Sequence, residues 1–389
     1  MENKERALAH VEKIEWIRPI GGADNIELIG VLGWVCIAKK GEFNVGDMAV
    51  YIEIDSKCPE TDERFAFLAN KKFKVKTMKL GKFKVISQGL ALPLSLFPEL
   101  QDRNIGDDVT EALKITYASE EDAARKTNKV NPNAKYKSMA KRRPKLFANP
   151  IVRRIMRYSI GRKIMFLLFG HKKDNPKKFP DWIVKTDETR IENAPFYLQS
   201  TEKWIKTEKC DGTSCTFAVD RLKKGKNKFD FIVCSRNVRQ ADREQACYHE
   251  SNIYWELADK YDIEKILTQF ATGNNYNRVV LQGEGVGSVQ GNPYKFTENK
   301  LFVFNLIIDG TRLGTIEMAD FCKSHGLTSV PIIDTAYELP KTMEEMKLEA
   351  DGYSELNPKV KREGFVYRDI SGQKSFKNVS REYLLKKGE

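Results

Sequence analysis

Between residue 8 and about residue 115, apolar positions recur at β-type spacing and are broken by turn sequences every few residues. Leu8 to Ile17 alternates. Gly21-Gly22-Ala23-Asp24-Asn25 is a turn, Ile26 to Ala38 is apolar and β-rich, and Lys40 to Asp47 is a hairpin connection into Met48 to Ile54. Strands this short, with little helix between them, predict a small closed antiparallel barrel rather than an open sheet. Further along, Ile151, Val152, Ile155, Met156 and Ile160 recur at helical spacing with Arg153, Arg154 and Arg157 between them, which predicts a basic amphipathic helix. From Trp182 onward strands and helices alternate without a strict βα repeat. That pattern predicts a mixed α+β domain with antiparallel sheets.

Composition adds little until charge is located along the chain. The 389 residues carry 66 Lys and Arg against 54 Asp and Glu, a net charge of +12. Fourteen of the basic residues and none of the acidic ones lie between Arg125 and Lys163, which leaves 66 − 14 = 52 basic against 54 acidic residues elsewhere. Basicity is therefore local. A concentrated positive segment suits a polyanion, so nucleic acid is the leading partner, with a solvated tether or a targeting signal around Lys141-Arg142-Arg143-Pro144-Lys145 as the alternative. In the barrel region Trp34, Phe73 and Phe83 alternate with Lys71, Lys72, Lys74, Lys76, Lys82 and Lys84. This fits either a face that tracks a phosphate backbone or a strand with its apolar side in a core.

Several classes are disfavoured. The longest apolar run, Ile164 to Phe169, is far short of the roughly 20 residues that span a bilayer, and Met1 to Arg6 leads into no hydrophobic signal segment. The expectation is an intracellular protein, of cytoplasm or nucleus, with no membrane partner. The seven cysteines are dispersed and include no Cys-x-x-Cys pair, so neither zinc nor a disulfide framework is expected. No Gly-x-x-x-x-Gly-Lys-Ser/Thr loop is present, and Gly283-Glu284-Gly285-Val286-Gly287 lacks the spacing of a dinucleotide turn.

The candidate chemistry centres on Glu208-Lys209-Cys210-Asp211-Gly212-Thr213. Downstream come Ser235-Arg236-Asn237, Gly283-Glu284-Gly285, Phe302-Val303-Phe304-Asn305, Glu363-Gly364-Phe365-Val366 and Lys374-Ser375-Phe376-Lys377. Each places a polar group at the edge of an apolar run. In this order they resemble motifs I, Ia, III, IIIa, IV and V of the covalent nucleotidyltransferases, and within that superfamily the chain is most similar to ATP-dependent RNA ligases. The segment Phe179 to Trp182 and Lys185 to Ile191 also resembles what precedes the lysine in those enzymes. A barrel before the lysine is similar to the RNA ligases with an N-terminal OB domain (RNA ligase family 5). Only Asn378 to Glu389 follow Lys377, too little for the C-terminal OB domain of DNA ligases and capping enzymes.

The resemblance implies an α+β fold in three parts: an N-terminal OB-like β-barrel over residues 1–118, a basic helical insert over 119–178 and a nucleotidyltransferase domain with antiparallel sheets over 179–389. It implies an ATP-dependent RNA ligase that joins 3′-OH and 5′-phosphate ends, nicks in duplex above all, through a lysyl-AMP intermediate. Its cofactors would be ATP as AMP donor and Mg²⁺ or Mn²⁺. Lys209 would be the nucleophile, Asp211, Glu284 and Glu363 would hold the metal, Arg236 would contact ribose or a strand end, and Phe304 would stack on adenine. Lys377, with Lys374 as the alternative, would grip the α-phosphate, and Glu208 would border the nucleotide. A free lysine titrates near 10.4, so only about one in 2,500 is neutral at pH 7 and the site must favour deprotonation. The rival readings are a capping enzyme that uses GTP and a non-catalytic RNA-binding protein.

Overall fold

The computed structural model describes residues 6–118, 144–169, 177–222, 228–240 and 252–388. In the N-terminal part five strands form one curled antiparallel sheet in the order Trp34–Lys39, Ile26–Val31, Ala9–Pro19, Met48–Ile52, Leu90–Pro93. The curl comes from Ala9–Pro19. Its first half, Ala9 to Lys13, pairs with Met48–Ile52, its second half pairs with Ile26–Val31, and the register shifts between Ile14 and Trp16. A bulge at that point bends the strand, so one strand serves two ladders. The two ends of this half-barrel are pinned by single bonds: the Gln88 amide donates to the Val35 carbonyl at 2.8 Å, and the Ile37 amide to Ser87 Oγ at 3.1 Å.

Two details differ from the sequence reading. The continuous apolar stretch Ile26 to Ala38 is a hairpin, because Leu32 takes a left-handed conformation (φ 51°) and turns the chain. The Lys71 to Lys76 run is not a strand. It follows the helical turn Glu63–Lys71, Lys72 and Phe73 both have positive φ, and Phe73 packs on the barrel core. Trp34 is buried as well, its indole donating to Asn193 Oδ1. Of the proposed phosphate-tracking aromatics, these two belong to the core.

Residues 119–143, which include the first half of the basic segment, lie outside the described residues. The predicted amphipathic helix is two helices, Pro150–Arg157 and Ser159–Phe169, separated by Tyr158 in an extended conformation. Asn149 Oδ1 accepts from the Ile151 amide at 2.9 Å and Pro150 occupies the first turn, both good helix-starting chemistry.

The C-terminal part holds two sheets. The larger runs in the order Lys177–Lys178, Val238–Arg239, Phe229–Cys234, Thr213–Arg221, Arg278–Val286, Lys300–Ile308, Thr311–Arg312, with Thr328–Ser329 parallel to Lys300–Ile308. Helices Ile253–Lys260, Ile263–Gly273 and Thr315–Ser324 cover one face through a core of Phe217, Leu257, Leu267, Leu281 and Phe321. The smaller sheet is ordered Ile332–Tyr337, Trp204–Glu208, Gly364–Asp369, Ser375–Val379, and its core stacks Tyr197, Phe376 and Tyr367 with ring centroids 5.1 and 4.9 Å apart. The barrel docks beside it. The Gly33 amide donates to the Glu192 carbonyl at 2.8 Å, and Arg190 reaches Asp55 at 3.3 Å while lying over the Trp34 ring. Among the described residues no helix is long and apolar enough to cross a membrane.

Candidate active site

The Lys-x-Asp-Gly sequence is the crossover between the two sheets: it leaves Trp204–Glu208 of the smaller one and enters Thr213–Arg221 of the larger. Its backbone is fixed on both sides. The Glu208 amide donates to the Pro331 carbonyl at 2.9 Å, the Lys209 amide to the Gly364 carbonyl at 3.0 Å and the Asp211 amide to the Tyr294 hydroxyl at 2.7 Å. Gly212 is required by space, since a Cβ there would lie 2.4 Å from the Gly285 carbonyl oxygen and 2.8 Å from Val286 Cγ1. Thr213 pairs with Gly285 and Ser214 with Glu284, so this close approach sets Glu284 beside the crossover.

Lys209 Nζ lies 2.8 Å from Glu363 Oε1. Burial works against the ammonium, but the carboxylates of Glu363, Glu284 and Asp211 outweigh it and hold the lysine above its ordinary value. Glu284 is affected in the complementary way. Burial pushes it up to about 8 despite the opposing charge of Lys209, with Glu363 and Asp211 adding repulsion. Lys377, on Ser375–Val379, donates to Asp187 Oδ1 at 2.6 Å, and Arg236 reaches Asp187 Oδ2 at 3.2 Å. Burial lowers Lys377 to about 8, although Asp187 opposes it. Burial alone would raise Asp187, but Lys377, Arg236 and Arg6 together hold it near 2.

These groups share a cleft of about 490 Å³ between the two sheets and the barrel, which contributes Arg6, Asp55, Lys76, Thr77 and Tyr117 to the wall. Phe304, from Lys300–Ile308, lines the cleft and packs beside Tyr294, Phe302 and Val330. Of the residues predicted from sequence, Lys209, Asp211, Glu284, Glu363, Lys377, Arg236, Phe304 and Glu208 all reach the cleft. The Glu208 carboxylate, however, is engaged by the Glu355 amide at 2.7 Å and by Ser354 Oγ, which ties the start of the crossover to the 354–355 turn. Lys374 does not reach the cleft. It sits in the turn before its strand and pairs with Glu202 at 2.7 Å on the surface.

The three carboxylates are not a closed metal cage: among the described residues no group of three or more His, Cys, Asp or Glu is arranged to hold an ion. They converge instead on an ammonium, and Glu284 is raised first by its burial and further by the neighbouring Glu363 and Asp211. This donor set fits Mg²⁺ or Mn²⁺, hard cations that bind through one or two carboxylates and complete their shell with water and phosphate. Sequence reasoning missed Asp187 as a partner of Lys377, Arg6 and Tyr383 as wall residues, and Tyr294 as the hydroxyl that holds the Asp211 amide. Asp187 lies in the segment whose resemblance was noted, the one signal available. Arg6 is brought in by the barrel, through its bond to Glu53 at 2.8 Å.

Comparison with known proteins agrees with this geometry. An OB-fold domain model matches residues 8–94 and an RNA ligase model matches residues 202–386. No curated protein gives a significant match. Solved structures do. Naegleria gruberi RNA ligase with PPi is 31% identical over 98% of both chains, with a TM-score of 0.75. A lysine-to-methionine mutant of that ligase with AMP and Mn is 30% identical over 99% of this chain and 100% of that one, with a TM-score of 0.75. A lysine-to-alanine mutant with ATP and Mn is 30% identical over 99% of both, with a TM-score of 0.74. With that identity sustained from end to end, and with the motif residues gathered in one cleft, the chain belongs to the RNA ligase family.

Proposed function

We propose that this RNA ligase uses ATP and a divalent cation to seal 3′-OH/5′-phosphate breaks, nicks in duplex above all, through a covalent adenylate on Lys209. The observation that carries the reading is the convergence of Lys209, Glu363, Glu284 and Asp211 from two sheets, with Lys377 and Arg236 in the same cleft. The solved variants of the Naegleria enzyme support it. They replace a lysine, an aspartate two positions later, and a glutamate and lysine separated as Glu363 and Lys377 are. Residues 1–118 and 119–178 would then hold the nucleic acid, and 179–389 would carry the chemistry.

In the first step Lys209 Nζ attacks the α-phosphorus of ATP. A P–N bond forms, the bond to the β-phosphate oxygen breaks and pyrophosphate leaves. Lys209 must lose a proton first, and Glu363 Oε1 at 2.8 Å is placed to receive its hydrogen bond. Lys377, on the Asp187 side of the cleft, puts a second positive charge near Lys209, which favours the neutral amine once the carboxylates are otherwise engaged. A cation held by Glu284, Glu363 and Asp211 would neutralise charge on the phosphates. Phe304 offers its ring to the adenine, and Lys377 with Arg236 would exchange Asp187 for phosphate oxygens. AMP then passes to the 5′-phosphate, and the 3′-OH displaces it. The test is ATP labelled at the α-phosphate, Mg²⁺ or Mn²⁺, and a denaturing gel. Label should appear on the wild type and not on Lys209→Ala, and equal label on both would refute the mechanism. Nicked duplexes with ribose or deoxyribose ends then test the substrate.

A further inference from the structure

The insert helices bury only a small cluster of their own: Phe147 and Met165, with Leu146, Val152 and Met156 partly covered. Several other apolar residues of these helices face outward. On Ser159–Phe169, Ile160, Ile164, Leu167 and Leu168 are 70, 50, 84 and 65% exposed. Their spacing of i, i+4, i+7 and i+8 makes a continuous stripe on one face. On the preceding helix Ile151 is 69% exposed and Ile155 lies one turn on, while Tyr158 is exposed at the joint between the two helices. Arg153, Arg154, Arg157 and Lys163 are exposed on the same pair of helices. No acidic residue occurs anywhere from Arg125 to Lys163. Water is a poor neighbour for such a stripe, and single-sign charge on every flank restricts what else fits.

From this arrangement we propose that the Pro150–Phe169 helix pair lies in the headgroup region of an anionic phospholipid bilayer, with the Ile160, Ile164, Leu167, Leu168 stripe in the acyl boundary and the arginines among the lipid phosphates. Short helices with an apolar face and a basic face bind in this way without spanning. Among the described residues no helix is long and apolar enough to cross a membrane, and attachment to a surface needs none; this proposal departs from the expectation of no membrane partner. A nucleic-acid backbone satisfies the arginines but leaves the aliphatic stripe in water, and the stripe has no run of aromatics on which bases could stack. A second copy of this chain would set positive flank against positive flank. The bilayer alone complements both features, and each basic residue near such a surface strengthens attachment in a salt-dependent manner.

The test is sedimentation of the full-length protein with vesicles of phosphatidylcholine alone or phosphatidylcholine mixed with phosphatidylserine. Binding is expected only to the mixed vesicles, weakening as salt rises. A stripe variant, Ile160→Ser with Leu167→Ser and Leu168→Ser, should lose vesicle affinity by about tenfold or more. Arg153→Gln with Arg154→Gln and Arg157→Gln should do the same. All these positions are exposed, so folding and labelling by ATP should persist in both variants. No binding by the wild type, or wild-type binding by the stripe variant, overturns the proposal. It is equally overturned if the stripe changes lower RNA affinity, or convert a dimer to a monomer, without changing vesicle binding.

Discussion

Replacing Gly212 by alanine adds one methyl group where the crossover between the two sheets passes closest to the Arg278–Val286 strand. The new Cβ would sit 2.4 Å from the Gly285 carbonyl oxygen, 2.8 Å from Val286 Cγ1 and 3.1 Å from Glu284 Cγ. Non-bonded heavy atoms settle near 3.5 Å, so the crossover must retreat from the Arg278–Val286 strand by about 1 Å. Lys209 is three residues away on a backbone anchored to Gly364 and cannot follow freely, so its distance to Glu284 changes. A displacement of this size at a reacting group costs on the order of 100-fold in rate, and overpacking costs about 1–3 kcal/mol of stability. The assay is single-turnover formation of the protein–AMP adduct at saturating ATP, run below the melting transition of the variant. Gly273→Ala is the control, since nothing lies within 4 Å of its new Cβ and the site ends a helix. Gly212→Ala labelling at the wild-type rate, with an unchanged melt, would refute the reasoning.

Lys377→Ala should reduce adduct formation by about 100-fold or more while Lys374→Ala stays within a few-fold of wild type, because only Lys377 reaches the cleft; the reverse order on the same gel would exclude this assignment. Glu284 binds its proton up to about pH 8 in the fold against 4.5 ordinarily, so between those values the folded protein holds a proton that the unfolded chain has released. Stability in chelator should therefore fall as pH rises from about 5 to 8, by up to a few kcal/mol, and Glu284→Gln should flatten that slope in urea melts at the two pH values. Lys347 and Glu192 pair at 2.6 Å with side chains 4 and 1% exposed. Lys347→Met should cost about 3–5 kcal/mol in urea melts, and adding Glu192→Leu should restore much of the loss; a single variant as stable as wild type would contradict the pairing.

The barrel was legible because its strands alternate and its turns carry Gly, Asn and Asp. The hairpin at Leu32 was not, since the Ile26–Val31 and Trp34–Lys39 strands read as one apolar run and a non-glycine residue makes the turn. The break at Tyr158 was hidden for a related reason: apolar spacing persists across a single extended residue. In the site, Lys209, Glu284 and Glu363 stood out because each sits where an apolar strand meets a glycine, a pattern that requires no tertiary knowledge. Choosing between Lys374 and Lys377 did require it. Phe376 points into the aromatic core, so its neighbour Lys377 takes the opposite face of the strand, while Lys374 precedes the strand and is drawn off by Glu202, 172 residues earlier in sequence.

Asp187 shows most clearly what sequence order conceals. A carboxylate ahead of the motif reads as an exposed loop residue, yet it joins Lys377 from the smaller sheet and Arg236 from the larger one. The same short segment continues through Thr189, whose carbonyl accepts the Lys377 amide at 2.8 Å, and Arg190, which bonds Asp55 of the barrel, to Glu192. Glu192 in turn receives the Gly33 amide from the barrel on its carbonyl and Lys347 on its carboxylate, and Lys347 Nζ also donates to the Val379 carbonyl at 2.7 Å. Residues 187 to 192 therefore fix the Lys377 strand and the barrel with one set of bonds. Any ligand oxygen that replaces Asp187 on Lys377 and Arg236 pulls on the segment that holds the barrel. The Lys377 strand and the seating of the barrel are in this way joined through a single six-residue segment.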